Sequence, residues 1–114
     1  MNTPVSFEIS KELKEKGFDE RLNYYYDSFG DIGSSKVKVN WNESEELLCS
    51  APTIAETVMW LYDEYGIWIS VLQHTKNGKG VYFESFVNSM TFSGYNSPTE
   101  PYNSAIIYIL KNLI

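Results

Sequence analysis

The chain has 114 residues, of which 43% are hydrophobic, 16% aromatic and 21% charged, and its net charge is −6. This length suits one domain with its own core, and the composition excludes a low-complexity disordered chain. The acidic balance disfavours ordinary nucleic-acid binding, which depends on neutralising phosphates, whereas it suits a solvated surface or a basic protein partner.

The N-terminal segment predicts an amphipathic helix. Thr3-Pro4 is typical of a helix start, with proline at the first helical position. Three apolar residues then recur on one helix face, which is expected to be buried: Val5, Ile9 and Leu13. Gly17 predicts the end of the helix, and Phe18 is expected to fold back onto Leu13 in a Schellman ending.

Two strands are predicted after this helix. Residues 22–26 (LNYYY) are short and aromatic, and residues 27–35 are rich in turn formers and predict a loop. Residues 36–41 (KVKVNW) alternate, with lysines outward as at a sheet edge. The face expected to be half-buried holds Val37, Val39 and Trp41. Together the two strands predict a long-looped hairpin.

The segment CSAPTIAETVMWLYDEYGIWISV changes its hydrophobic period at Gly66. Thr53 and Glu56 have the spacing of a capping box, which predicts a helix start. The expected buried stripe of this helix is Ile54, Val58, Leu61, Tyr62 and Tyr65. After Gly66 the pattern alternates, which predicts a tight turn and then a central strand over residues 67–75.

The register of the following hairpin decides which residues share a face. A two-residue turn at Asn77-Gly78 would place Val71 opposite Glu84 and mix polar with apolar residues. A five-residue loop, Lys76–Gly80, segregates them and is favoured. Its apolar face holds Ile67, Ile69, Val71, Val81, Phe83 and Val87. Its opposite face holds Trp68, His74, Tyr82, Glu84 and Phe86.

The C-terminal region completes the predicted fold. Residues 88–98 are polar and predict a turn region, and Thr99 is expected to cap a last helix with Pro101 in its first turn. The apolar stripe of that helix is Ala105, Ile106, Ile109, Leu110 and Leu113. We therefore predict an α+β fold over residues 1–114: a single small domain of order αββαββα, with helices packed on an antiparallel sheet.

Few residues could support catalysis or hold a metal. His74 is the only histidine and Cys49 the only cysteine, which excludes His-rich zinc sites and an internal disulfide. No phosphate-binding loop or nucleophile elbow is present. Because Cys49 precedes a helix cap, a buried structural cysteine is favoured over a Cys49–His74 catalytic pair. We predict no enzyme activity, no metal and no cofactor.

Two features predict a binding surface. The first is the aromatic strand face, with Trp68, Tyr82, Glu84 and Phe86. Three helices could cover both faces of a sheet, so an open binding face is the alternative to full coverage. The second is the acidic region between Lys38 and Lys76, whose first acids are Glu43, Glu45 and Glu46. The expected partner is a protein, or a second copy bound through an aromatic face or through strand 36–41.

A single-stranded nucleic-acid-associated protein is the alternative prediction. Tyr24 and Tyr26 could stack on bases beside Lys36 and Lys38, although few other basic residues accompany them. The N-terminus lacks the basic and apolar regions of a signal peptide, and no run reaches the roughly 18 apolar residues of a membrane helix. A cytoplasmic protein that does not enter the membrane is expected.

Three segments resemble a group of small uncharacterised proteins of Bacteroides-type gut bacteria, their prophages and phages. They are FEISKELKEKGFDERLNYYY, CSAPTIAETVMWLYDEYGIWISV and the C-terminal helix. Within them the shared pattern is Tyr24–Tyr26, Ser50–Thr53 and Trp60-Leu61. The resemblance covers most of the chain and includes no catalytic motif, so it implies no site residues. It implies a phage or mobile-element origin, and together with the composition it favours a non-enzymatic protein-interaction module.

Overall fold

The computed structural model describes residues 2–44, 47–75, 78 and 80–114. Within these residues the chain forms three α-helices, one 3-10 helix and two three-stranded antiparallel sheets. The elements are α1 (Phe7–Glu15), β1 (Leu22–Tyr26), β2 (Ile32–Val39), the 3-10 helix (Trp41–Glu43), β3 (Cys49–Ser50), α2 (Ile54–Tyr65), β4 (Ser70–Thr75), β5 (Val81–Val87), β6 (Met90–Tyr95) and α3 (Thr99–Asn112). The α+β prediction is confirmed. The strands β3 and β6, and the division into two sheets, were not predicted.

The chain divides into two compact units, Asn2–Thr57 and Val58–Ile114, with the boundary inside α2. The first unit holds the sheet of order β2-β1-β3, and the second holds β4-β5-β6. Acids outnumber bases by five in the first unit and by one in the second. The single domain over residues 1–114 stays a prediction. No helix in the described part of the chain is long and apolar enough to cross a membrane.

The start of α1 differs from the prediction. Ser6 is the N-cap, and its Oγ accepts a hydrogen bond from the amide of Ile9 at 3.2 Å. Pro4 instead forms an isolated antiparallel bridge with Thr53. The prediction of a helix start at Thr3-Pro4 was wrong, because Pro4 is held in the bridge with Thr53 and the side chain of Ser6 caps the amide of Ile9.

The end of α1 is the predicted Schellman motif. Gly17 has φ 87°, and its amide donates to the carbonyl of Lys14 at 3.2 Å. The amide of Phe18 donates to the carbonyl of Leu13 at 3.0 Å, which is the six-to-one bond of this motif. The predicted apolar face is buried: Val5, Ile9, Leu13 and Phe18.

The β2 strand was predicted with the wrong start and the wrong burial. It begins at Ile32, so the loop before it is shorter than predicted. Two consecutive pairs of its ladder with β1 are Leu22–Val39 and Tyr24–Ser34. Since β2 advances five residues there while β1 advances two, the strand bulges. Val37 is therefore 66% exposed and Val39 is exposed as well, rather than buried on alternating positions.

Trp41 was predicted to lie in a strand, but other contacts hold it in place. It lies in the 3-10 helix, and its Nε1 donates to the carbonyl of Leu22 at 2.8 Å. Its ring also packs on Tyr25, with the centroids 4.5 Å apart. These two contacts anchor the end of β2 to β1, which strand alternation alone could not predict.

The buried stripe of α2 is rotated from the predicted one. Ile54, Val58 and Leu61 are buried as predicted. Tyr62 and Tyr65 were predicted to be buried and are exposed, whereas Trp60 and Thr57 are buried in the described structure. Helical spacing fits both stripes, and tertiary packing selects between them.

The second sheet has the predicted hairpin register. Thr75 pairs with Val81, and the pairing continues without interruption to Ser70 and Phe86. The five-residue loop is thus confirmed by its flanking pairs, although Lys76, Asn77 and Lys79 lie outside the described residues. The predicted central position of β4 was wrong, because β5 is the central strand.

The region predicted as a polar turn contains β6. Val87 pairs with Met90, so a two-residue turn joins β5 to β6. The turn residue Asn88 has φ 53°, a left-handed conformation that asparagine adopts more readily than most residues. The sequence analysis assigned residues 88–98 to a turn because of their polar and turn-forming residues, although Met90 and Phe92 alternate with Thr91 and Ser93 within the strand.

The last helix follows the predicted stripe but not the predicted cap. Pro98 already has helical angles (φ −73°, ψ −19°) and occupies the N-cap position without a side-chain hydrogen bond. Thr99 is therefore the first helical residue rather than the cap. The buried stripe comprises Ala105, Ile106, Ile109 and Leu110, and Leu113 is half-buried.

Candidate binding face

One face of the β4-β5-β6 sheet is covered by α3. Phe92 and Tyr95 of β6 pair with Ser85 and Phe83 of β5, so all four lie on this face. The rings of Phe92 and Tyr108 pack together, with their centroids 5.7 Å apart. A hydrogen bond of 2.8 Å also joins the hydroxyls of Tyr95 and Ser104. Ser85 and Val87 are fully buried there.

The opposite face of this sheet carries the predicted binding residues. The register places Leu72 opposite Glu84 and His74 opposite Tyr82, and Trp68 precedes β4 in the same alternation. We call this set the aromatic face: Trp68, Leu72, His74, Tyr82, Glu84 and Phe86. Trp68 is 50% exposed and Leu72 is 51% exposed, whereas the other four are partly buried. The strand pairing places Tyr82, Glu84 and Phe86 on one face, as predicted, whereas Trp68 lies outside the paired residues and its membership of the face stays a prediction.

Gly66 positions the indole of Trp68. Its φ of 69° lets the chain leave α2 in a sharp turn, closed by a 2.8 Å hydrogen bond from the Gly66 amide to the carbonyl of Tyr62. The Tyr62 ring then meets the indole edge-on, with the centroids 5.5 Å apart. This contact fixes the indole at one end of the aromatic face while half of its surface stays exposed.

His74 and Glu84 form the polar part of the aromatic face. The Nε2 atom of His74 lies 3.0 Å from Oε1 of Glu84, and the imidazole stacks on Tyr82 with centroids 5.1 Å apart and planes at 20°. A partly exposed pair of this kind stabilises a fold by about 0–1 kcal/mol.

Leu72 is the member of the aromatic face that the sequence reasoning did not single out. Its position in the alternation, between Trp68 and His74, was the available signal. Among the acids predicted for binding, Glu43 is exposed in the 3-10 helix of the first unit. Glu45 and Glu46 lie outside the described residues.

The first unit has a surface pocket at the end of β2. Its volume is about 460 Å³. It is lined by Arg21, Lys38, Val39, Asn40, Trp41, Glu43 and Ser44.

Tyr24, part of the alternative nucleic-acid prediction, is 49% exposed and pairs with Ser34 in the same sheet. Tyr26 is less accessible, because it is partly buried and its hydroxyl donates to the carbonyl of Val5 at 2.7 Å.

Cys49 is a buried thiol, as predicted. It is 4% exposed in β3, and burial raises its pKa above the ordinary value of 9.0. The ammonium groups of Lys14 and Lys11 lower the pKa, but their effect is smaller than that of burial. The protonated thiol is a poor nucleophile at neutral pH. No cluster of three or more metal-ligating side chains occurs in the described part of the chain.

Comparison of the chain with protein-family models, with curated proteins and with solved structures gave no match.

Proposed function

We propose that the chain is a non-enzymatic protein-interaction module of phage or mobile-element origin that binds and modulates a host protein in the cytoplasm. The observation that carries this proposal is the contrast between the two faces of the second sheet. One face is packed under α3, while the other presents Trp68 and Leu72 with half of each residue exposed. A large aromatic side chain held in one orientation is the kind of anchor that contributes most to protein–protein binding.

The expected partner has an apolar centre and a basic rim. The apolar centre would match Trp68 and Leu72. The basic rim would match Glu84 and the exposed carboxylates of Asp63 and Glu64, which follow Tyr62 in α2. Because charged rim contacts mainly raise the association rate, we expect binding to weaken moderately as salt is added.

A site-specific cross-link tests this proposal. A photoreactive phenylalanine analogue would replace Trp68, and in the control chain it would replace Phe29, which is 88% exposed in the first unit. Both chains would be irradiated in host lysate. The proposal expects a host protein that cross-links from position 68 and not from position 29.

The captured protein would then be purified for a binding measurement. Trp68→Ala should weaken its binding at least tenfold, about 1.4 kcal/mol, and Phe29→Ala should leave it unchanged. Equal labelling from both positions, or binding that is insensitive to Trp68→Ala, would remove the aromatic face as the binding site.

A single-stranded nucleic-acid-associated protein is the second candidate. Its support is the exposure of Tyr24 beside the exposed lysines of β2, Lys36 and Lys38. The excess of five acids in the same unit disfavours it. Fluorescence anisotropy with a labelled oligonucleotide at low salt would detect binding. Tyr24→Ala should abolish that binding while Trp68→Ala leaves it intact.

A further inference from the structure

The outer strands of the two sheets differ in how their free edges are protected. An unprotected edge presents unpaired backbone groups to another chain, and bulges, short length or lysines normally prevent this. In the first sheet, β3 has only two residues. The other edge, β2, carries Lys36 and Lys38 and is interrupted by its five-against-two bulge.

In the second sheet, β6 is also interrupted. Its register with β5 shifts between Phe83 and Ser85, and Gly94 within it has φ 87°. The β4 strand has none of these features. All six of its residues pair with β5 in unbroken register, and in the described part of the chain β5 is the only strand it pairs with.

The β4 edge is also uncharged and accessible. No Asp, Glu, Lys or Arg occurs from Tyr65 to Thr75. Four of the six strand residues are exposed: Ser70, Leu72, Gln73 and Thr75. The β4 strand therefore has a long, regular and uncharged edge, which none of the other three outer strands has.

We infer that β4 pairs antiparallel with β4 of a second copy of this chain, with Leu72 opposite Leu72 at the two-fold axis. The two sheets then join into one six-stranded sheet. Directly opposite residues of an antiparallel pair share a face, so the aromatic faces of both copies lie on the same side. This inference does not depend on the proposed function.

The second copy is the occupant that the charges favour. A two-fold axis pairs an edge with a copy of the same edge, so an edge that carries charges of one sign repels itself. Lys36 and Lys38 would meet their copies if β2 paired with itself, which argues against the predicted dimer through residues 36–41. The β4 edge brings no charges together, and it belongs to the unit in which acids exceed bases by only one.

The centre of the pairing follows from the side chains. With Leu72 at the axis, the two exposed leucines contact each other and Ser70 faces His74 of the second copy. With Gln73 at the axis, Leu72 would instead face His74. Because a single strand pair buries little area compared with a standard interface, we expect a weak, concentration-dependent dimer.

Mass measurement over a concentration series tests the inference. Sedimentation equilibrium should show the mass rising from 13.1 kDa toward twice that value. Leu72→Lys places two like charges opposite each other and should leave a monomer. Val37→Lys puts the same charge on an exposed valine of β2 and should leave the dimer unchanged. A monomer at all concentrations up to about 1 mM, or a dimer unaffected by Leu72→Lys, would overturn the inference.

A disulfide cross-link tests the register without relying on a loss of binding. Opposite residues in an antiparallel pair have Cα atoms about 4.5–5.5 Å apart, which a disulfide can span. In a Cys49→Ala background, Leu72→Cys should form a covalent dimer under mild oxidation, and Val37→Cys should not. Equal cross-linking of both variants, or none at position 72, would overturn the Leu72-centred pairing. Neither measurement uses the host partner, so each proposal can fail separately.

Discussion

Thr53 and Glu56 each accept a hydrogen bond from the other's backbone amide at the start of α2. The Thr53 amide donates to Oε1 of Glu56 at 2.8 Å, and the Glu56 amide donates to Oγ1 of Thr53 at 3.1 Å. This reciprocal pair is the capping box that the sequence spacing predicted. It satisfies two amides that the helix itself cannot pair, and it sets the residue at which α2 begins.

Thr53→Ala should therefore lower the free energy of unfolding by about 1 kcal/mol. Thr99→Ala is the matched control, because Thr99 was predicted as a cap yet lies inside α3 at a start with no side-chain cap. We expect less than about 0.5 kcal/mol for the control. Urea denaturation followed by circular dichroism measures both. Equal losses would mean that the Thr53 hydroxyl does not act as a cap.

These two threonines show which parts of the fold the sequence could predict. The capping box, the Schellman ending at Gly17 and the five-residue hairpin register depend on residues close in sequence, so local patterns predict them. The start at Thr99 depends on the conformation of Pro98, and the pattern around Thr99 does not reveal it.

The errors in β2 have a tertiary cause. Alternation predicted that Val37 would be buried, yet the bulge against β1 leaves it exposed. The size of a bulge depends on which residues of two strands pair, and one strand's sequence does not determine this. The aromatic face was predicted more fully, because its register was the one that best segregated apolar residues. Its exposure could not be predicted, since that depends on which face of the sheet α3 covers.

Gly33 gives a second stability prediction. A Cβ atom at this position would lie 2.6 Å from Cζ of Tyr25. The Tyr25 ring is packed against Trp41 of the 3-10 helix. Gly33→Ala should therefore lower the free energy of unfolding by about 1–3 kcal/mol. The neighbouring exposed Ser34→Ala is the control, with an expected change within about 0.5 kcal/mol.

A double-variant cycle separates this clash from a general loss of β2. In a Tyr25→Leu background the side chain at position 25 is shorter, so adding Gly33→Ala should cost clearly less than it does with tyrosine. Tryptophan fluorescence during urea denaturation measures all four chains. The same cost in both backgrounds would show that the tyrosine ring is not what excludes a Cβ atom at Gly33.

Asn88 provides a third prediction, for the turn between β5 and β6. Its φ of 53° is unfavourable for residues that carry a Cβ atom, and asparagine adopts it more readily than alanine does. Asn88→Ala should cost about 1–2 kcal/mol, whereas Asn88→Gly should retain the stability, and the adjacent Ser89→Ala serves as a control. Thermal denaturation compares the four chains. If Asn88→Ala and Ser89→Ala have the same melting temperature, the left-handed turn does not contribute to stability.

Cys49 gives a prediction for alkaline pH. Burial raises its pKa in the folded chain above the ordinary 9.0, so between those two values the unfolded chain loses the thiol proton while the folded chain keeps it. The unfolded state then binds fewer protons, and the free energy of unfolding falls as the pH rises. The contribution of the thiol is complete well below the ordinary pKa of 9.0 and is lost as the pH rises through the raised pKa, by at most about 1.4 kcal/mol per pH unit.

Cys49→Ala removes this titration. It also removes the smaller of the two causes that raise the pKa of Tyr26, which are burial and then the charge of Cys49. The free energy of unfolding would be measured by urea denaturation at several pH values from 7 to 10.5. The difference in stability between the natural chain and Cys49→Ala should be constant up to about pH 8.5 and then change in favour of the variant. Iodoacetamide labelling gives an independent measurement, because a buried neutral thiol reacts much more slowly in the folded chain than in urea. A stability difference that stays constant to pH 10.5, together with equally fast labelling in both states, would show that Cys49 is not buried as a thiol.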